Sequence, residues 1–165
     1  MNYASIRKCD IANGEGVRVS LFVSGCTHHC KGCFNKEAQD FGYGNIFDES
    51  VENEILDALK PSYITGLTVL GGEPMEVSNQ RALAPFLRRF RKLFGETRTL
   101  WIYTGCTLEQ LEDDASRWRC EVTEEILSMT DVLVDGPFVE ELKDISLRFR
   151  GSSNQRIINL KNENI

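Results

Sequence analysis

The sequence predicts an α/β fold, an incomplete and laterally open (β/α) barrel, on three observations. Short apolar runs with strand character alternate with segments of helical period, which is the pattern of parallel βα units. Four of these strands end directly before a conspicuous loop: Cys26 with Cys30 and Cys33, Gly71-Gly72-Glu73-Pro74, Thr104-Gly105-Cys106, and Asp135-Gly136-Pro137. Too few strands are visible to close a barrel of eight. In parallel βα architectures such loops gather at the carboxyl edge of the sheet, where ligands bind. The four segments can therefore share one site although they spread over more than a hundred residues.

Residues 3–11 read as a short strand, and Asn13-Gly14-Glu15-Gly16 as a turn whose glycines permit positive φ. Val17, Val19, Leu21 and Val23 alternate with Arg18, Ser20 and Phe22, the period of a strand that leads into the cysteines. Residues 34–47 carry glycines and aromatics without periodicity and read as loop. Asp48 or Ser50 caps a helix on which Val51, Ile55, Leu56 and Leu59 share a face, and Pro61 ends it. Residues 67–70 form a brief strand opening into the Gly-Gly-Glu-Pro run.

Leu83, Phe86, Leu87, Phe90 and Phe94 follow a helical period that Gly95 stops. Pro85 puts the start of that helix nearby, or bends it there. Arg81, Arg88, Arg89, Arg91 and Lys92 read as its solvated face, with docking to an acidic partner as the alternative. Residues 100–103 are the next strand, and Thr107 with Gln110 makes a capping box for a helix. Thr123 caps another helix through Met129, residues 132–134 form a strand, and 156–160 a last one.

Cys26, Cys30 and Cys33 stand four and three residues apart, so one loop can turn three thiolates toward a point. Soft thiolates suit zinc or an iron–sulfur cluster. Structural zinc and ordinary cluster carriers use four ligands, whereas three leave one metal position open to substrate. Zinc completed by His28 or His29 is the competing reading. A disulfide is disfavoured, because three cysteines cannot pair evenly and the N-terminus lacks a secretory signal.

The Cys-x-x-x-Cys-x-x-Cys loop followed by Gly71-Gly72-Glu73-Pro74 resembles the radical S-adenosylmethionine superfamily. Within it the chain resembles, nearly end to end, the activating proteins of anaerobic ribonucleoside-triphosphate reductase. The resembling segments are residues 10–16, 24–35, 71–74, 101–105, 132–138 and 150–156. The tail Arg150-Gly151-Ser152-Ser153-Asn154-Gln155 narrows the match to this activase.

The resemblance implies a single radical-SAM domain over 1–165, with a 4Fe–4S cluster on Cys26, Cys30 and Cys33 and S-adenosylmethionine chelated by the remaining iron. It implies that Gly71 and Gly72 admit the methionyl group and that Glu73 and the backbone at Pro74 receive its ammonium, a tight βα turn being the alternative for this run. It also implies that Asp135 meets the ribose, with helix capping or turn stabilisation as its alternative. Tyr103 and Thr104 are weaker candidates. Gly32 stands where many members carry an aromatic, so Phe34 is expected to pack against adenine instead, with a place in the core as the alternative; Cys106 stands where the activases often have tyrosine. Cys9, Cys106 and Cys120 read as structural thiols.

The partners implied are the large subunit of the reductase, whose C-terminal glycine loses a hydrogen atom, and a one-electron donor such as flavodoxin. Alternatives are activation of another glycyl-radical enzyme, modification of a small molecule, or a non-catalytic zinc or iron–sulfur module. At 165 residues the chain suits one domain. A net charge of −6 argues against nucleic acid or an anionic membrane as partner, and no apolar run approaches the roughly 20 residues of a membrane span. Six cysteines without a signal peptide fit the reducing cytoplasm.

Overall fold

In the computed structural model, which describes residues 1–161, the alternation along β2 (Val17–Val23) sends Val19, Leu21 and Val23 to one side and Arg18, Ser20 and Phe22 to the other. Both sides are covered. The remaining strands are β1 (Asn2–Asp10), β3 (Asn45–Ile46), β4 (Ile64–Gly71), β5 (Thr99–Tyr103), β6 (Val132–Asp135) and β7 (Arg156–Asn159). They form one open, seven-stranded sheet of order β3-β1-β2-β4-β5-β6-β7.

β2, β4, β5 and β6 run parallel, whereas β1, β3 and β7 pair antiparallel. The fold is therefore mixed α/β, and parallel βα units hold only in the centre. The reason at the front is the tight turn at residues 13–16, since a parallel partner needs a crossover of a dozen or more residues. At the back, residues 136–155 contain one short 3-10 turn, Glu140–Leu142, and no helix to carry the chain across before β7. The segment expected as loop before the first helix holds a second 3-10 turn, Glu37–Gln39, and β3.

Four helices, α1 (Glu49–Ala58), α2 (Val77–Phe94), α3 (Leu108–Glu112) and α4 (Thr123–Met129), cover one face. Their Ile55, Leu83, Phe86, Leu87, Phe90, Leu111 and Ile126 pack against Val19, Leu21, Leu67, Val69, Leu100, Ile102 and Leu133 of the sheet. The Asp48 side chain caps α1 by accepting from Val51 N at 3.0 Å, and Thr107 and Gln110 form the expected box on α3.

Three expectations are corrected here. α2 begins at Val77, well before Pro85, because the buried amides of Asn79 and Gln80 fix its first turns to Ser24 O, Glu73 O, Met75 O and Trp118 O. Val122, not Thr123, is the cap position of α4; Thr123 accepts from Cys120 N and donates to Gln80. The arginines of α2 are not a bare solvated face: Arg81, Arg88, Arg89 and Arg91 pair with Glu121, Glu125, Glu52 and Asp131.

Among the described residues no α-helix covers the opposite face of the sheet, which carries Phe22, Leu70, Trp101 and Tyr103. The segment before β7 crosses it, with Phe149 edge-on to Trp101 at 5.5 Å. Arg18 is 1% exposed there, donating to Thr68 Oγ1, Glu15 O, Leu67 O, Thr99 O and Thr99 Oγ1. Burial pushes its pKa down to about 10, so it stays charged at neutral pH. No helix among the described residues is long and apolar enough to cross a membrane.

Candidate active site

Because the central strands are parallel neighbours, their carboxyl ends lie side by side: Val23 is level with Gly71, Val69 with Ile102, and Tyr103 with Val134. The loops that follow wall a cavity of about 470 Å³ on the helix-free face, within the roughly 300–1,000 Å³ of small-molecule sites. Cys26, Cys30, Cys33, Phe34, Gly71, Gly72, Glu73, Tyr103, Thr104 and Gly136 all line it, and so do Arg150, Gly151 and Gln155 of the tail. The convergence expected from strand ends is thus present.

Backbone bonds sew the first two loops together. Gly72 N donates to Val23 O at 2.7 Å and Glu73 N to Gly25 O at 2.8 Å, while Gly25 N and Cys26 N donate to Ala38 O and Gln39 O. Thr27 is fixed through its N–H and hydroxyl to Glu76 Oε1 at 2.7 and 2.6 Å. Burial pushes the Cys26 thiol up to about 11 and raises Cys30 as well, so both are protonated at neutral pH and release protons when they ligate a metal. Three thiols on one loop beside an open cavity fit an iron–sulfur cluster with one iron left without a protein ligand.

Glu73 is 1% exposed, and both its oxygens are taken by the protein. Oε1 accepts from Met75 N at 2.8 Å and from the Thr104 hydroxyl at 2.7 Å; Oε2 accepts from Gly105 N at 2.7 Å and from His28 Nε2 at 2.8 Å. The His28 ring stacks on Trp118 at 4.4 Å. His28, Glu73 and Cys106 have ligating atoms within 4.8 Å of one another, but a carboxylate already accepting four hydrogen bonds reads as a latch rather than a metal ligand. His28 is held through Nε2 by Glu73, and His29 faces Gln39 through Nδ1 at 3.1 Å, so each histidine keeps one ring nitrogen outside these bonds.

Several expected site residues lie elsewhere. Asp135 is fully buried and does not line the cavity. Its carboxylate accepts from Leu108 N and from Arg156, which also pairs with Glu109. Pro74 is buried outside the cavity wall, and Gly32 is exposed at φ 70° beside Glu140. Phe34 does line the cavity and is 64% exposed, packed on Phe138 at 5.1 Å. Of the thiols read as structural, Cys106 is buried but Cys9 is exposed. The latch of His28, Thr104 and Gly105 on Glu73 was missed, because one histidine among two in a loop carries no signal of its partner 45 residues away.

The glycines also answer a need of the backbone itself, as the tight-turn reading expects. A Cβ on Gly72 would stand 2.7 Å from both Ala38 O and Gly25 O, and one on Gly71, at φ 113°, 2.6 Å from Val23 N and O. The close approach is between two stretches of backbone. Gly72→Val is accordingly expected to destabilise the apoprotein by about 1–3 kcal/mol, as overpacking does, and to lower iron retention by displacing Gly25 and Cys26. Urea unfolding and iron assays under argon measure both. Normal stability and iron with weakened cofactor binding alone would show that the glycine serves ligand approach.

The family described as "4Fe-4S single cluster domain" matches residues 12–158. An anaerobic ribonucleoside-triphosphate reductase-activating protein of Pasteurella multocida (strain Pm70) is 44% identical over 159 residues, covering 95% of this chain and 96% of its own. The chain belongs to the family of these activating proteins. A second member, from Haemophilus influenzae, is 40% identical over 163 residues, covering 98% of this chain and 99% of its own. A third, from Enterobacteria phage T4, is 35% identical over 157 residues, covering 95% and 93%. The tail singled out in the sequence, residues 150–155, has a clear structural task here. Gln155 Oε1 accepts from Gly151 N and Ser152 N while its amide donates to Gly136 O, and Asn154 donates to Pro137 O. This folds the tail onto the loop after β6 and closes one wall of the cavity.

Proposed function

We propose that this chain is the activase of the anaerobic ribonucleoside-triphosphate reductase. In this reading it is a radical S-adenosylmethionine enzyme, one domain over 1–165 folded as an incomplete, laterally open barrel, that installs a glycyl radical on the reductase's large subunit. The observation that supports it is the shared cavity, in which Cys26, Cys30 and Cys33 meet Gly71 and Gly72 at adjacent strand ends. The three thiols would hold a 4Fe–4S cluster, and the cavity beside them would take S-adenosylmethionine. Together, once bound, these groups supply a 5′-deoxyadenosyl radical by one-electron reductive cleavage.

The chain's own share is positioning and protection. The bonds from Gly72 N and Glu73 N fix the cysteine loop against the neighbouring strand end. Glu73 holds Thr104, Gly105 and His28 in place around it. Phe34, Phe138, Phe149 and Leu147 give the cavity apolar walls that limit water. A one-electron donor such as flavodoxin and a cytoplasmic setting belong to the same proposal, and six free thiols suit a reducing compartment.

The test mixes the cluster-loaded protein, S-adenosylmethionine and a one-electron reductant with the reductase under argon. A glycine-centred doublet is expected in the electron paramagnetic resonance spectrum only when all are present, with reductase activity following it. Cofactor cleavage without that doublet, together with activation of a different glycyl-radical enzyme, would move the chain to another partner.

A further inference from the structure

The four arginines of α2 are bound to carboxylates, as described. Arg7, Lys36, Lys143, Arg148 and Arg150 form no ion pair among the described residues, and all five surround the opening of the cavity. Arg7 lines it and lies 5.0 Å over the Phe22 ring. Lys36 lines an adjoining cavity of about 610 Å³ that shares Arg7 and Phe34 with the first. Lys143 Nζ stands 4.9 Å over Phe34, and the Arg148 guanidinium 4.9 Å over Phe149. Arg150 lines the cavity and spends one hydrogen bond, on Gln155 O.

The carboxylates on this rim are Glu37, bonded by Tyr43, Glu140 and Glu141, which share Lys31, and Asp144, bonded by Ser146. The cations outnumber them, on a chain whose net charge is −6. Apolar groups stand among the charges: Phe34 is 64% exposed and Ile145 94%. An exposed aromatic with a lysine over it, and arginines over the half-buried Phe149 and the buried Phe22 beside it, give this rim the mixed aromatic and cationic character of a protein interface, and stacking pre-orders the cationic side chains.

We propose that this rim docks an acidic surface of the reductase beside the segment that enters the cavity. The inference rests on the activase reading and adds the chemistry of the docking face. An acidic electron carrier offers the same charge, but seated here it would cover the opening through which the target segment must pass.

The experiment compares cluster-loaded wild type with the double variant Lys143→Glu/Arg148→Glu, both exposed positions outside the cluster loop. Lys92→Glu, exposed on α2, is the control. Anaerobic interferometry reads binding to purified reductase at low and high salt, and melting temperatures verify folding. Wild-type affinity is expected to fall with salt, and the double variant to bind about tenfold or more weakly with a flatter salt dependence, the control staying within about twofold. Unchanged affinity and salt dependence in the double variant overturns the proposal while leaving the activase reading intact. So does normal reductase binding with slowed reduction by flavodoxin, which assigns the rim to the carrier. Wild type that neither binds nor activates the reductase removes the activase reading, and this docking face with it.

Discussion

Iron content is expected to fall to background when any one of Cys26, Cys30 and Cys33 is replaced by Ala, and to persist in Cys9→Ala, Cys106→Ala and Cys120→Ala. The first three share one loop and one cavity wall. The others do not: Cys9 is on the exposed edge of the sheet, and Cys120 sits by Gln80 and Thr123. Cys106 is the sharpest control, because it is buried and only 3.7 Å from His28 within the same loop region. Loss of a ligand should exceed the 10–100-fold drop in metal affinity that changes to outer partners typically cause. Reconstitution under argon, followed by iron, sulfide and zinc analysis, measures the outcome. Stoichiometric zinc with no iron, or loss of iron in Cys106→Ala alone, would overturn the assignment of ligands.

The sequence carried the site better than it carried the sheet. Strand ends before Cys26, Gly71, Thr104 and Asp135 were legible from short apolar runs, and parallel pairing follows once helices separate them. Of these four strand-end residues only Asp135 stays outside the cavity wall. A carboxylate at a strand end has several outlets, and Arg156 on the neighbouring antiparallel strand takes this one. That pairing is non-local and leaves no periodic trace. Nothing in the alternation along β2 announces that five acceptors from three segments bury Arg18. The glycine motif allowed either the approach of a ligand or a tight βα turn, and the chain's own atoms nearest a Gly72 Cβ belong to Gly25 and Ala38. Spacing announces that a glycine is needed but not which neighbour needs it.

Glu73 is where these two ways of reading the motif part most clearly, and Glu73→Gln is expected to lower stability before any cofactor is added. The substitution keeps the size of the side chain but turns one acceptor oxygen into an NH₂ donor. In one orientation that donor faces Met75 N–H, in the other Gly105 N–H, the atoms now bound at 2.8 and 2.7 Å. Either way a buried backbone donor loses its acceptor and meets another donor. The expected loss is about 2–4 kcal/mol, since an unsatisfied buried group alone costs about 1–3. For a chain of this length the melting temperature of the apoprotein then falls by about 5–12 °C. Thr104→Val removes a donor to the carboxylate and also the acceptor of the buried Cys106 N–H at 3.0 Å, so it should lower stability as well. Calorimetry or urea unfolding of the cluster-free protein under argon separates this effect from cofactor binding. If Glu73→Gln melts within about 1 °C of wild type while affinity for S-adenosylmethionine drops, the carboxylate serves the ammonium of the cofactor and the latch fails. If stability falls as predicted, the glutamate of the motif acts mainly by joining the loops at Cys26, Gly72 and Thr104, and weakened cofactor binding follows from their separation.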